Sequence, residues 1–363
     1  MRPRSDLDDQ EDRSNEDDLW FLPGPELADE EVPPGATPER SHGQGRLFDP
    51  APWHAAQCLF AGELAEVAGL FGALDQRLRD GPAGWRSRLA LREVADLGWW
   101  TGDRLDVDRI ALWVMLRIGS TEDTEQALAR AGWAMRHLSS GLFPVEGLAA
   151  FLERAPRPMA AFAPQTAPEA VLADLAEVMA AGEGLHPVVA AARLFHAWRS
   201  LGPPGSADIE AAVLAARHGA LMARGPGQGA LFLPLAQTGS DALRGQGDPE
   251  AKLAAWLRGA ERATLAALLH LDRVAAWRAR ADMRIADLSG RTPPRLLDLL
   301  EAWPQITAPM AEAETEASRA AVQRNLAIFE ARGLVREITG QGRYRVWSAA
   351  LEFSIAASLR GAD

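Results

Sequence analysis

The side chains best suited to recognition chemistry in this 363-residue chain lie near its C-terminal end. Residues 318–347 contain six arginines against two glutamates. Gln323 and Arg324 are adjacent, and Arg343 and Arg345 are two residues apart. Guanidinium groups bind phosphate oxygens and guanine edges, and a glutamine amide can bind an adenine edge. The residue types and their spacing therefore favour contact with nucleic acid.

A helix is predicted to position the first pair. Ser318 is a favourable N-cap and Gly333 a favourable C-terminal stop. An apolar stripe at helical spacing is formed by Val322, Leu326 and Phe329. Gln323 and Arg324 fall on the opposite face, which is otherwise lined by Ala317, Ala320, Ala327 and Ala331. Small side chains would let this face approach a major groove closely.

A hairpin is predicted to position the second pair. Residues 334–338 alternate like a strand, residues 339–342 have turn chemistry, and residues 343–347 form the return strand. Side chains two apart in a strand share a face, so Arg343 and Arg345 point the same way. Together with a short helix after Thr307, the segment is typical of a winged helix-turn-helix. The predicted DNA-binding residues are Ser318, Arg319, Gln323, Arg324, Arg343 and Arg345.

Three glutamates argue against this interpretation. Glu312, Glu314 and Glu316 directly precede the predicted recognition helix and would repel phosphates if they faced the duplex. The alternative is a protein-interaction adaptor, in which the arginines solvate a surface that contacts the rest of the chain or a partner.

The net charge of −12 is unevenly distributed and does not exclude DNA binding. Residues 1–50 hold 14 acidic and 5 basic residues, so that most of the excess negative charge lies there. That segment lacks periodicity and is predicted to be disordered, with a protein partner as one use for it. One cysteine, Cys58, and no long apolar run predict a cytoplasmic protein that contacts no membrane.

The rest of the chain is predicted to be helical. One helix should run from Trp53 to Gly81, including Leu59 in its apolar stripe, and a long helix should follow Asp248-Pro249 as far as about Ala281. No strand is predicted before residue 334. The core should contain seven tryptophans: Trp99, Trp100, Trp113, Trp133, Trp198, Trp256 and Trp277.

Catalytic and metal-binding patterns are absent from the sequence. The seven histidines are scattered, and the chain has no HExxH, P-loop or GxSxG motif. We therefore predict no catalytic, cofactor or metal site, and we expect a protein that is not an enzyme.

The middle of the chain resembles the Fic family, helical enzymes that transfer AMP to protein hydroxyls. Residues 185–198, with His186-Pro187 and Phe195-His196, are similar to the helix that leads into the family motif HPFx[D/E]GNGR. Residues 231–235 resemble the segment after it. The motif itself is missing, because Gly202 or Pro203 stands at the position of the catalytic histidine and no GNGR follows. The resemblance implies a catalytically inactive scaffold, with a divergent nucleotide transferase as the alternative.

A bacterial family that couples a helical domain of unknown function to a C-terminal helix-turn-helix DNA-binding domain is a closer resemblance. It rests on Pro52-Trp53, residues 99–102 and 232–235, and the run from Thr339 to Trp347. The resemblance implies double-stranded DNA as the partner and transcriptional regulation as the role, and a homodimer stays open.

The predicted fold is mainly α, with a Fic-like helical bundle before the winged helix-turn-helix. The predicted regions are 1–50 (acidic segment), 51–290 (helical domain), 291–350 (winged helix-turn-helix) and 351–363 (tail).

Overall fold

The computed structural model describes residues 49–116, 122–139, 168–202, 208–223, 225, 229–339 and 345–351. The acidic N-terminal segment up to residue 48, the tail after residue 351, and Arg343 lie outside these residues.

The described residues before 285 form nine α-helices and two short 3-10 helices. The helices are α1 (Ala51–Leu59), α2 (Ala61–Asp80), α3 (Gly84–Thr101), α4 (Val107–Leu116), α5 (Glu122–Ser139), α6 (Pro168–Ala180), α7 (Pro187–Leu201), α8 (Asp208–Gly219) and α9 (Pro249–Arg284). The 3-10 helices are Ala220–Met222 and Ala242–Arg244. The prediction of a mainly helical chain is confirmed.

The prediction of one helix from Trp53 to Gly81 is wrong. The chain bends by 81° between α1 and α2. Phe60 sits at the bend with φ −99° and ψ 30°, outside the helical region. The bend turns Leu59 into solvent, whereas Leu64 and Val67 after it are buried. No single helix among the described residues is long and apolar enough to cross a membrane, and only the bent pair α1–α2 meets that test jointly.

Six of the seven predicted core tryptophans are at least half-buried. Trp133, Trp198, Trp256 and Trp277 are buried. Trp100 and Trp113 pack against the core from its edge. Trp99 contradicts the prediction, because it is 57% exposed and lies under the Arg104 guanidinium, 5.6 Å from the ring centre. An exposed cation–π contact accounts for an indole that faces water.

A buried loop between α8 and α9 is held by charged side chains from distant helices. The Glu93 carboxylate on α3 accepts hydrogen bonds from the backbone N–H groups of Leu235 and Ala236, at 2.8 and 2.9 Å. Asp75 on α2 accepts one from Ala230 N at 2.8 Å. These bonds satisfy backbone groups that have no helical partner. Burial raises the pKa of Glu93 to about 7, although the two backbone hydrogen bonds oppose the shift.

Helix α9 joins two hydrophobic cores. Its N-cap is Asp248, whose side chain accepts from Ala251 N at 2.9 Å, with Pro249 in the first turn as predicted. The helix spans 36 residues. Its residues up to Val274 belong to the larger core of the helical body, and its residues from Trp277 onward belong to a smaller, C-terminal core.

The smaller core is enclosed by three more helices and a small sheet. These elements are α10 (Thr292–Ala302), β1 (Gln305–Thr307), α11 (Ala308–Thr315), α12 (Arg319–Ala331), β2 (Val335–Glu337) and β3 (Val346–Ala349). The sheet is antiparallel in the order β1-β3-β2, with Ile306 opposite Trp347 and Arg336 opposite Ser348. Three helices with a three-stranded sheet in this order form a winged helix.

Strand β1 corrects the prediction that no strand precedes residue 334. The predicted two-stranded hairpin is a three-stranded sheet, and strand β3 begins at Val346; residues 340–344, where the turn and the start of the return strand are predicted, lie outside the described residues. Three residues are too short for an alternation pattern, so β1 gives no period-2 signal. Its backbone pairs with β3, which lies about forty residues later in the chain and can be placed next to it only by the tertiary fold.

Arg88 of α3 joins the helical body to the C-terminal unit through hydrogen bonds. This buried guanidinium donates to the carbonyl oxygens of Glu301 (2.7 Å), Trp303 (2.6 Å) and Leu300, at the end of α10. Carbonyls at a helix end lack intrahelical donors, so Arg88 acts as their cap. Gly84 allows the approach, because a Cβ there would lie 2.5 Å from Ala302.

Candidate nucleic-acid interface

Helices α11 and α12 form the helix-turn-helix, and each begins at a hydroxyl N-cap. The Thr307 side chain accepts from Met310 N at 3.2 Å, and the Ser318 side chain accepts from Ala321 N at 3.3 Å. Ser318 is thus the N-cap that the sequence predicted. Since its hydroxyl oxygen holds the first turn of α12, any contact with DNA would be an additional role.

The inner face of α12 is fixed by a small buried cluster. Val322, Leu326 and Phe329 are fully buried, as their spacing predicted. Asn325 is buried beside them, and its amide donates to the Ala321 carbonyl at 2.8 Å. Asn325 is not among the predicted residues, although its spacing, three residues after Val322 and four before Phe329, places it at the edge of the apolar stripe and was a usable signal. Close packing of this cluster fixes the rotation of α12 about its own axis.

The outer face of α12 presents Gln323 and Arg324 to solvent. Ala320, Ala327 and Ala331 around them are also exposed. The predicted small-residue face with two long polar side chains is therefore present on the surface, except that Ala317 is half-buried against the smaller core. Its contacts with base edges stay a prediction.

Arg319, at the start of α12, lies close to an acidic side chain of α11. Its guanidinium is 3.9 Å from the Glu312 carboxylate, and its own side chain is 74% exposed. A pair this long and exposed contributes little to stability and can be exchanged for a phosphate.

The turn between α11 and α12 is held by Arg295 of α10. Glu316 adopts the left-handed conformation, with φ 54° and ψ 31°. Arg295 donates to its carboxylate at 2.9 Å and to the Thr315 carbonyl at 2.8 Å. The hydrogen bond from Arg295 to the carboxylate, together with the positive charge of Arg295, lowers the pKa of Glu316. Non-glycine residues pay for this backbone conformation, and the Arg295 contacts offset part of that cost.

The wing is described only at its base. Arg343 lies outside the described residues. Arg345 is placed 3.2 Å from the Glu330 carboxylate and 3.8 Å from that of Glu337. Its guanidinium also lies 5.1 Å from the centre of the Trp347 ring. Arg345, one of the two predicted wing arginines, therefore already has protein partners.

Most of the described arginines in this region lie beside a carboxylate, so few of them carry positive charge that is not neutralised. Five arginines of this region lie within 4 Å of a carboxylate: Arg295, Arg319, Arg332, Arg336 and Arg345. Among the described residues of the region, Arg324 has no such ion pair. It is the least neutralised cation on the outer face of α12.

The same segment matches a known family. Residues 293–349 match the profile of the family described as "HTH DNA binding domain". The C-terminal segment is similar to helix-turn-helix DNA-binding domains. The matched residues run from the first turn of α10 to the end of β3, so they cover the whole winged helix. No curated protein matches the chain.

Proposed function

We propose that the protein is a transcriptional regulator that binds double-stranded DNA with the outer face of α12. The observation that carries the proposal is the exposed pair Gln323 and Arg324 on a helix whose other face is buried, inside a segment similar to DNA-binding domains. A side chain able to reach base edges must project from a rigid helix that enters the major groove. The first condition is supported by α12, whose inner face is buried in the smaller core, and entry into the major groove is what we propose.

The other predicted residues take supporting roles in this proposal. Ser318 and Arg319 at the start of α12 would contact the DNA backbone, and so would Arg343 and Arg345 on the wing. Phosphate contacts set the register of a protein on the duplex and carry little sequence information. Arg345 would have to exchange Glu330 and Glu337 for a phosphate, so we expect only a small contribution from it.

Binding of the intact protein to DNA from its own upstream region tests the proposal. Fluorescence anisotropy should show a complex whose affinity falls steeply with added salt. Arg324→Ala should weaken specific binding by about 1–3 kcal/mol, and Arg343→Ala should weaken it across sequences and reduce the salt slope by about one. Arg244→Ala, an exposed arginine of the helical body, is the matched control. Equal affinities for wild type and an Arg324→Ala/Arg343→Ala double variant would contradict the assignment.

A protein-interaction adaptor is the second candidate. Residues 293–349 contain seven arginines and seven acidic residues, so this segment has no net positive charge to attract a phosphate backbone. Glu314 is exposed on α11, next to the turn. Failure to bind duplex DNA even at low salt would favour the adaptor.

The helical body is proposed to be a scaffold without catalytic activity. Gly202 ends α7 as its C-cap and has no side chain that could move a proton, and Pro203 lies outside the described residues. The Fic-like ancestry of this body and a cytoplasmic location belong to the same proposal. Transfer of label from labelled ATP to any protein would instead support a nucleotide transferase.

A further inference from the structure

Helix α9 carries an exposed stripe along most of its length. The stripe follows alternating steps of four and three residues, and its members are Arg258, Arg262, Leu265, Leu269, Asp272, Ala276, Ala279 and Met283. The opposite face of the helix is buried in the two cores. Steps of four and three place residues on one seam, which is the geometry of a helix that packs against a second helix.

The stripe contains a concentration of apolar side chains. Leu265 is 39% exposed, Leu269 58% and Met283 71%. These are three of the seven large apolar side chains that remain exposed among the described residues. Ala276 and Ala279 add apolar surface between them. Large apolar side chains repeated along one exposed seam of a helix are more typical of an interface than of a solvated face.

The charges of the stripe select the partner and its direction. Two copies of α9 that run antiparallel, centred on Ala267, place Leu265 of each copy opposite Leu269 of the other. The same arrangement places Arg262 of each copy opposite Asp272 of the other, because both lie five residues from Ala267. A parallel pair would instead oppose Arg262 to itself and Asp272 to itself. Like charges in register destabilise a helix pair, so the stripe is complementary to its own antiparallel copy.

We propose that the protein forms a two-fold dimer in which α9 pairs antiparallel with α9 of a second copy. Two layers of leucine are flanked by two Arg262–Asp272 pairs, and Ala276 lies opposite Arg258 further out.

The present intrachain partners of the two charged residues are compatible with this dimer. Arg262 pairs with Asp241, and Asp272 pairs with Arg77 at 3.1 Å. All four side chains are at least 41% exposed, and ion pairs at such exposure contribute little. Arg262 and Asp272 can therefore turn toward the second copy, where burial of the leucines strengthens their attraction.

The dimer does not depend on DNA binding, because its surface lies on the helical body. It would, however, place two recognition helices in one particle. The C-terminal end of α9 is 17 residues from Ala267, so the two ends would be about 50 Å apart. That separation exceeds one turn of the duplex.

Charge reversal tests the proposal by its symmetry. The mass in solution, measured by light scattering after gel filtration, should be twice the chain mass of 39.1 kDa for the wild type. Arg262→Asp and Asp272→Arg should each give a monomer, since each opposes like charges at both ends of the seam. The double variant should be a dimer again. An equimolar mixture of the two single variants should also form a dimer, because every opposed pair is then complementary.

Three results would overturn the proposal: a monomeric wild type, a dimer that survives both single reversals, or single variants that stay monomeric when mixed. Circular dichroism of each variant establishes that it is folded. A second measurement uses a Cys58→Ser background carrying Arg262→Cys and Asp272→Cys. Residues 262 and 272 of one chain are about 15 Å apart along the helix, too far for a disulfide within it. Oxidation should give a covalent dimer, and Arg262→Cys alone should not; absence of the first dimer contradicts the register.

Discussion

The two hydrophobic cores that share α9 differ in whether the polar residues buried with them are charged. The larger core of the helical body buries charged residues, among them Asp75, Arg88, Glu93, Arg193, Glu210 and Arg217. In the part of the C-terminal unit that the structure describes, the buried polar residues are all neutral: Gln305, Thr307, Thr315, Asn325 and Ser348.

Burial of a charge is costly unless hydrogen bonds compensate it, so the charges inside the body serve its structure. Arg88 caps a helix, and Glu93 holds a loop. Among the described residues of the C-terminal unit no charged side chain is buried, and Arg324 of α12 is exposed with no ion pair. The contrast agrees with our proposal, in which the charges of the body serve stability and exposed charge on the winged helix serves recognition.

Removal of Arg88 should have the largest effect on stability. Arg88→Ala leaves the carbonyls of Leu300, Glu301 and Trp303 without their donor, and we expect a loss of about 3–5 kcal/mol in the free energy of unfolding. Urea denaturation followed by circular dichroism measures it. Hydrogen exchange should show that α10 and β1 lose protection before α2 does. Loss of less than about 1 kcal/mol would contradict a structural role for this buried charge.

Titration of Glu93 should have the second-largest effect on stability. Burial raises the pKa of this carboxyl from its ordinary value of 4.5 to about 7 in the folded protein. The folded state therefore holds the proton more tightly, and stability should fall as the pH rises from about 4.5 to about 7, by about 3 kcal/mol.

Glu93→Gln removes this titration and keeps an acceptor for Leu235 and Ala236. Between pH 5 and pH 8, the unfolding free energy of the wild type should fall relative to that of the variant. Because other titrating groups cancel in that difference, parallel pH curves for the two proteins would contradict the account.

The contacts of Arg88 and Glu93 also show what could not be predicted from the sequence. Ser318, Gly333 and the stripe from Val322 to Phe329 act on their chain neighbours, and the structure has them as predicted. Gly333 indeed adopts a positive φ of 66°. Glu93 and Arg88 act on groups more than 140 residues away, and β1 pairs across forty residues. Contacts of that range leave no local pattern.

The site was predictable in part for the same reason. The exposure of Gln323 and Arg324 follows from the helical wheel. The partners of Arg345 depend on how α12 packs against β2 and β3, and they could not be inferred from spacing.

A third, smaller effect concerns the turn between α11 and α12. Glu316→Ala and Glu316→Gly both remove the contact with Arg295, but only glycine adopts the left-handed backbone without cost. The alanine variant should be less stable than the glycine variant by about 1 kcal/mol in thermal or urea unfolding. Equal stabilities would indicate that the turn relaxes when Arg295 is released.

The smallest expected change in stability is at the proposed recognition surface, the outer face of α12. Arg324 is exposed and has no ion pair among the described residues, so Arg324→Ala should change the free energy of unfolding by less than about 0.5 kcal/mol. A larger loss of stability, measured by thermal unfolding, would mean that Arg324 contributes to the fold. The proposed difference between the charges of the two regions would then not hold for this residue.

The DNA recovered with the cross-linked protein from cells tests the central claim most directly. The wild-type protein is predicted to enrich a limited set of genomic sites. A Gln323→Ala/Arg324→Ala variant, expressed at the same level, should lose them, whereas Arg244→Ala should retain them. Absence of enrichment for the wild type, or an identical set of sites for the Gln323→Ala/Arg324→Ala variant, would contradict recognition of DNA by the outer face of α12.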